Sequence, residues 1–233
     1  MKKITAILIY YFLISTNSLF AQDSLSEKKS PFSFNTDFVT SFVWRGLQIN
    51  DSPDLQPNVS FSKGGFECGS WGSISFNGEY SELDLYASYT LNKFKFSAAD
   101  YYILSDNTDK NYFDYAKNTT AHAFEASLAF TVSEKVPLTL LATTFFYGSD
   151  CDSLGNNYYS SYFEASYSFD QVDIYIGMSP WESMYGNKPG IVNVGLTFNK
   201  EIVITDKYSI PAYLSLIANP MNEKFMIVAG FTF

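Results

Sequence analysis

From Pro31 onward, apolar and polar residues alternate along nearly the whole chain with a period of two. In FSFNTDFVTSFVWRGLQI, Phe32, Phe34, Phe38, Phe42 and Trp44 share one face, and Asn35, Asp37, Ser41 and Arg45 take the other. SELDLYASYTL sets Leu83, Leu85, Ala87, Tyr89 and Leu91 against Glu82, Asp84, Tyr86 and Ser88. YYSSYFEASYSF and VDIYIGM repeat the scheme, with Glu164 and Asp173 on the polar side. Such alternation is the mark of a strand whose two faces meet different surroundings. No helical period of useful length appears. The pattern predicts about twelve strands, starting near residues 32, 54, 66, 81, 93, 121, 137, 157, 171, 190, 208 and 223. They make one all-β domain over residues 32–233.

The connections between these strands alternate as well. SKGG, LNK, VSEKV and FDQ are short, whereas LQINDSPD, SDNTDKNYFDYAKNTT, GSDCDSLGNN and SPWESMYGNKPG are longer, polar and rich in turn residues. Short and long connections taking turns predict a transmembrane antiparallel up-and-down β-barrel of an outer membrane, with short periplasmic turns and longer outer loops. A soluble sandwich or lipocalin-like barrel would alternate similarly. Two features favour the membrane. Aromatics crowd the strand ends (Phe32, Trp44, Phe146, Tyr167, Phe169 and Phe231), as girdles at two lipid–water interfaces do. The closing segment KFMIVAGFTF also puts Phe225, Ile227, Ala229, Phe231 and Phe233 on one face, and no later element is there to cover it. Outer-membrane lipid is the expected partner of that face.

The other end fits export. Lys2 and Lys3 precede an apolar run from Ile4 to Ile14 and then small and polar residues, the layout of a signal peptide over residues 1–21, cleaved after Ala21. A short periplasmic segment, 22–31, would follow. The apolar run is shorter than the roughly 20 residues of a spanning helix. Losing both lysines takes the formal charge from −9 to −11, and an acidic surface argues against nucleic acid. The two Cys, Cys68 in a strand and Cys151 in a polar loop, do not by their positions indicate a disulfide.

Enzyme chemistry finds little to work with. The sole His, His122, falls on the parity of Phe124 and Leu128, towards lipid, and no Gly-x-Ser-x-Gly, HExxH or phosphate loop occurs. A lipid-modifying barrel enzyme therefore ranks behind the non-catalytic readings, and no cofactor is expected. SDNTDK and GSDCDS hold closely spaced Asp residues, but neither has the spacing of a calcium loop.

Several segments resemble the TorF-like porins of Gram-negative outer membranes. Trp44 to Gln48 matches the family's aromatic-Arg-Gly-aliphatic-Gln stretch, and Pro53 to Gln56 its Pro-x-Leu-Gln segment. Gly69 to Ser73 and Glu82 to Tyr86 follow as its next two strands, with Ser70 where Thr is the family's residue. The likeness runs over about residues 35–105, is loose afterwards, and returns in the closing strand. It implies an outer-membrane barrel for small solutes. It also implies that the end of the chain, Phe231 and Phe233, serves as the signal read by barrel-assembly machinery.

The polar parity supplies the candidate lumen. Asp37, Glu82, Asp84, Tyr86, Glu125, Glu164 and Asp173 are expected to line it, with Arg45 and Lys95 as the opposing bases. Carboxylates in a confined channel attract cations. The competing picture is a closed barrel, plugged by Arg45 tying acids together and serving a structural or surface-interaction role through its outer loops. Arg45 is either constriction or strut.

Overall fold

The computed structural model describes residues 30–107, 109, 111–117 and 119–233. The expected signal peptide and nearly all of the 22–31 segment lie outside the described residues. The strands are β1 (Phe32–Val39), β2 (Phe42–Trp44), β3 (Leu47–Asn50), β4 (Asp54–Lys63), β5 (Phe66–Ser75), β6 (Ser81–Leu91) and β7 (Phe94–Ile103). After the long loop come β8 (Ala123–Ser133), β9 (Val136–Gly148), β10 (Ser161–Phe169), β11 (Val172–Ser179), β12 (Gly190–Thr205), β13 (Tyr208–Asn219) and β14 (Lys224–Thr232).

Twelve of these strands close into one antiparallel up-and-down barrel, each paired with its neighbours in sequence and β14 returning to β1. The seam is well made: Asp37 stands opposite Thr232, Val39 opposite Gly230, and Phe233 exchanges two backbone hydrogen bonds with Thr36, at 2.9 and 3.0 Å. Closure removes the free edges that an open sheet would expose. The expected strand count and starting points hold, because every wall strand is bracketed by turn residues where its alternation stops.

The inside and outside of the wall differ as the alternation requires. Phe32, Phe34, Phe96, Leu140, Ile176, Phe225 and Ile227 are all exposed on the exterior. Among the described residues, buried polar side chains outnumber buried apolar ones, the reverse of a soluble domain. Strands of ten residues, such as β4 and β5, run about 33 Å, and a tilt of about 40° leaves roughly 25 Å along the axis, the height of an apolar membrane band. A twelve-strand wall encloses more space than its own side chains fill. The remaining pair, β2 and β3, occupies part of it.

Candidate functional site: an inward hairpin and an acidic vestibule

The chain leaves the wall after Val39 and re-enters it at Asp54. Between them β2 and β3 form a hairpin that folds into the bore, with Trp44 opposite Leu47. Its two turn residues both have positive φ, +50° at Arg45 and +80° at Gly46, as a two-residue type I′ turn requires. Ser41 Oγ donates to Asn50 O at 2.7 Å, Asn50 Nδ2 to Asp54 Oδ1 at 2.5 Å, and Ser73 Oγ to Asp54 Oδ2 at 2.7 Å, which ties the hairpin's base to the wall. At the tip Asn219 Nδ2 donates to Gly46 O at 3.0 Å. A Cβ on Gly46 would sit 2.0 Å from Val192 O, so only glycine permits this approach.

The hairpin's side chains reach the wall on several sides. Phe42 packs its ring on Trp71 and Tyr80, with centroids 5.4 and 5.9 Å away. Val43 rests on the cluster of Val39, Ile217, Met226 and Val228. Trp44 meets Tyr101, Phe145 and Tyr185 at 5.8, 6.3 and 5.8 Å. This corrects the sequence reading, which ran one strand from Phe32 to Ile49 and turned Phe42 and Trp44 towards lipid. The chain bends at Thr40 and Ser41, between β1 and β2, and leaves the wall without breaking the alternation, so both rings fill the lumen.

Arg45 is the polar end of the plug. Nη1 and Nη2 donate to Glu125 Oε1 and Oε2 at 2.5 and 2.9 Å, a bidentate pair. Nη1 also donates to Tyr185 OH at 2.7 Å and Thr143 Oγ1 at 3.1 Å. The guanidinium lies over the rings of Trp44 and Tyr162, 4.4 and 5.1 Å from their centroids. Glu125 additionally accepts from Tyr101 OH at 3.0 Å and from the Thr143 hydroxyl. Arg45 thus braces the hairpin against β8 through one carboxylate, from the tip of a hairpin and not from the wall.

The other inward acids meet neutral donors. Glu82 accepts from Tyr80 OH at 2.7 Å, Asp37 from Thr232 Oγ1 at 2.7 Å and Asp173 from Asn199 Nδ2 at 2.6 Å. Glu164 accepts from the Tyr162 hydroxyl and from Asn193 Nδ2, the latter at 3.3 Å. Tyr86 OH donates to Asn58 Oδ1 at 3.0 Å. Hydroxyls and amides orient these carboxyl groups. Asp54, which the alternation also put on this face, joins them through Asn50 and Ser73.

Two cavities lie either side of the hairpin. The larger, about 740 Å³, opens at the long-loop end and is lined by Phe42, Trp44, Trp71, Glu82, Asp84 and Tyr101 among others. The smaller, about 160 Å³, lies against Val43, Arg45, Glu164, Tyr175 and Asn193. Around the lumen, tyrosines lie flat over glycines of the adjacent strand. A Cβ would fall 2.6 Å from the Tyr86 hydroxyl oxygen at Gly69, 2.0 Å from the Tyr175 ring at Gly195 and 2.3 Å from the Tyr213 ring at Gly230. Those glycines keep bulky rings against the wall and out of the bore.

His122 keeps its exterior parity but is not lipid-exposed. The long loop folds over it, so the ring is wholly buried among Tyr102, Tyr112, Tyr115 and Phe124. Nδ1 faces Asp100 Oδ1 at 2.8 Å and Nε2 faces Tyr112 O at 2.6 Å, so both ring nitrogens are held. It fastens the loop to the wall. Cys68 and Cys151 are both free thiols. Asp152 turns its carboxylate onto the amides of Leu154 and Asn156 at 2.8 and 2.9 Å.

No family model and no curated protein matches the chain. Among solved structures it is similar to the KdgM porin, at 9% identity over 86% of this chain and 97% of that one, with a TM-score of 0.46. A second solved porin is similar at 13% identity over 80% of this chain and 63% of its own, with a TM-score of 0.31. The resemblance to TorF-like porins rests on the segments quoted from the sequence.

Proposed function

We propose that this protein is an outer-membrane channel for small solutes, narrowed by the hairpin and preferring cations. The apolar exterior of a closed barrel supports the membrane setting, since such a surface in water would drive aggregation. The observation that carries the charge preference is the inner wall. The hairpin's arginine is consumed by Glu125, whereas Asp37, Glu82, Glu164 and Asp173 are held by neutral donors, and their field has no arginine against it. In a confined passage that field is poorly screened and favours cations.

Reconstitution in planar bilayers tests this reading. A small single-channel conductance is expected, with reversal potentials in a salt gradient that indicate cation selectivity. Replacing Glu82→Gln and Asp84→Asn together lowers the selectivity, and the difference shrinks in 1 M salt, where the screening length is about 3 Å. Anion preference in the wild type overturns the reading. A closed barrel is the second reading, favoured by the contacts the hairpin makes around the bore. It predicts no current from the wild type and a current once residues 42–49 are replaced by a short Gly-Ser link.

A further inference from the structure

The vestibule on the long-loop side of the hairpin has a chemistry of its own. Trp71, Asp84 and Tyr101 stand directly opposite one another on three adjacent strands, so a carboxylate sits between two aromatic rings in one row across the wall. Glu82 lies two residues along the same face. Phe42 and Trp44 line the same cavity from the hairpin, Phe42 against Trp71 and Trp44 against Tyr101. Asp84 is only 7% exposed, yet its Oδ1 has no hydrogen-bond partner in the protein. Leaving a buried carboxylate oxygen unmatched is costly.

We propose that this cavity is a binding site for an organic ammonium ion, a protonated amine carrying an apolar or aromatic body. The ammonium N–H donates to Asp84 Oδ1, the Glu82 carboxyl lies beside it, and the electron-rich faces of Trp71, Tyr101 and Trp44 surround the cation. The volume of about 740 Å³ suits a small organic molecule. A bare metal ion fits poorly, because no cluster of three metal-ligating side chains forms among the described residues. An anion finds no Lys or Arg among the described lining residues to hold it. This site needs no conduction: a sealed barrel would present it as fully as an open one.

Titration of the intact protein, purified from membranes in detergent, with 2-phenylethylammonium tests the proposal. Binding is followed by tryptophan fluorescence and by calorimetry, with 2-phenylethanol and phenylacetate as neutral and anionic counterparts. Saturable binding of the ammonium, at least about tenfold tighter than the alcohol, is expected from one charge-assisted hydrogen bond, with none for phenylacetate. Asp84→Asn, which keeps the shape of the side chain, and Trp71→Leu each weaken binding by about tenfold on the same ground. Glu134→Gln, on a remote short turn, leaves it unchanged. Heat-modifiable electrophoretic mobility verifies that each variant is a folded barrel. Equal affinity for ammonium and alcohol, or undiminished binding by folded Asp84→Asn, overturns the proposal. Binding without any bilayer current upholds the site and removes the channel reading.

Discussion

Replacing Arg45 by Ala separates a braced hairpin from one that merely rests in the bore. The substitution leaves Glu125, 4% exposed, without its cation and removes the donors facing Thr143 and Tyr185. Breaking one partner of a buried ion pair costs about 3–5 kcal/mol. Glu125 keeps Tyr101 and Thr143 as donors, so the lower end, about 3 kcal/mol, is expected. Alanine inherits the left-handed φ of +50°, and so recovers nothing. Arg45→Gly relieves that conformation and should be less damaging by about 1 kcal/mol. Adding Glu125→Gln to Arg45→Ala should return part of the loss, since no unpaired charge then remains. Urea unfolding in detergent, read by tryptophan fluorescence, measures all of these. Single-channel recordings of the same proteins should show a larger, noisier current from Arg45→Ala as the tip comes free. A loss within about 0.5 kcal/mol, the range of an uninvolved surface change, together with unaltered current would refute the bracing role.

Three further outcomes are expected. Gly195→Ala puts a Cβ 2.0 Å from the Tyr175 ring, which must swing into the bore; conductance should fall while the barrel still forms, and an unchanged current would show that the ring does not limit passage. Cys151 lines the vestibule, and burial, then Asp150 and Asp152, push its thiol up from the ordinary range. Mixed-disulfide formation with a cationic thiosulfonate, which expels its sulfinate, should therefore be slow at neutral pH, accelerate as pH rises past the usual thiol pKa, and spare Cys68 on the exterior parity, whereas equal labelling of both would contradict these placements. Phe233→Asp puts a charge on an exposed exterior position at the barrel seam and should reduce membrane yield far more than Asp150→Ala in the outer loop; equal yields, measured by fractionation, would count against a role in assembly.

The wall was legible because each of its strands has one apolar and one polar face, and a period of two records that directly. Of the acids that the alternation puts on the polar parity, Glu82 and Asp84 line the larger cavity and Glu164 the smaller. The hairpin was not legible for the same reason. Its residues keep the alternation of a wall strand, and Phe42 and Trp44 look like any lipid-facing aromatics. The signal that marks it is Gly46 inside an otherwise regular run, the residue type that a turn with positive φ calls for. His122 escaped differently: parity gave the correct side of the wall, but a loop lying across that side is a tertiary fact with no local period.

The hairpin also explains why widely separated stretches belong to one site. Trp44 to Gln48, Gly69 to Ser73 and Glu82 to Tyr86 each carry the resemblance to TorF-like porins, and as isolated strands they share no evident purpose. In the folded barrel Trp44, Trp71, Glu82 and Asp84 line a single cavity. Its floor is supplied by the first segment and its wall by the other two. Gly46 is required where the tip meets Val192, and Arg45 where the tip meets Glu125. A bore of twelve strands has no intrinsic reason to hold aromatic rings beside carboxylates at one level. The hairpin creates that level, at the long-loop end of the bore, where 19 of the described residues line the cavity.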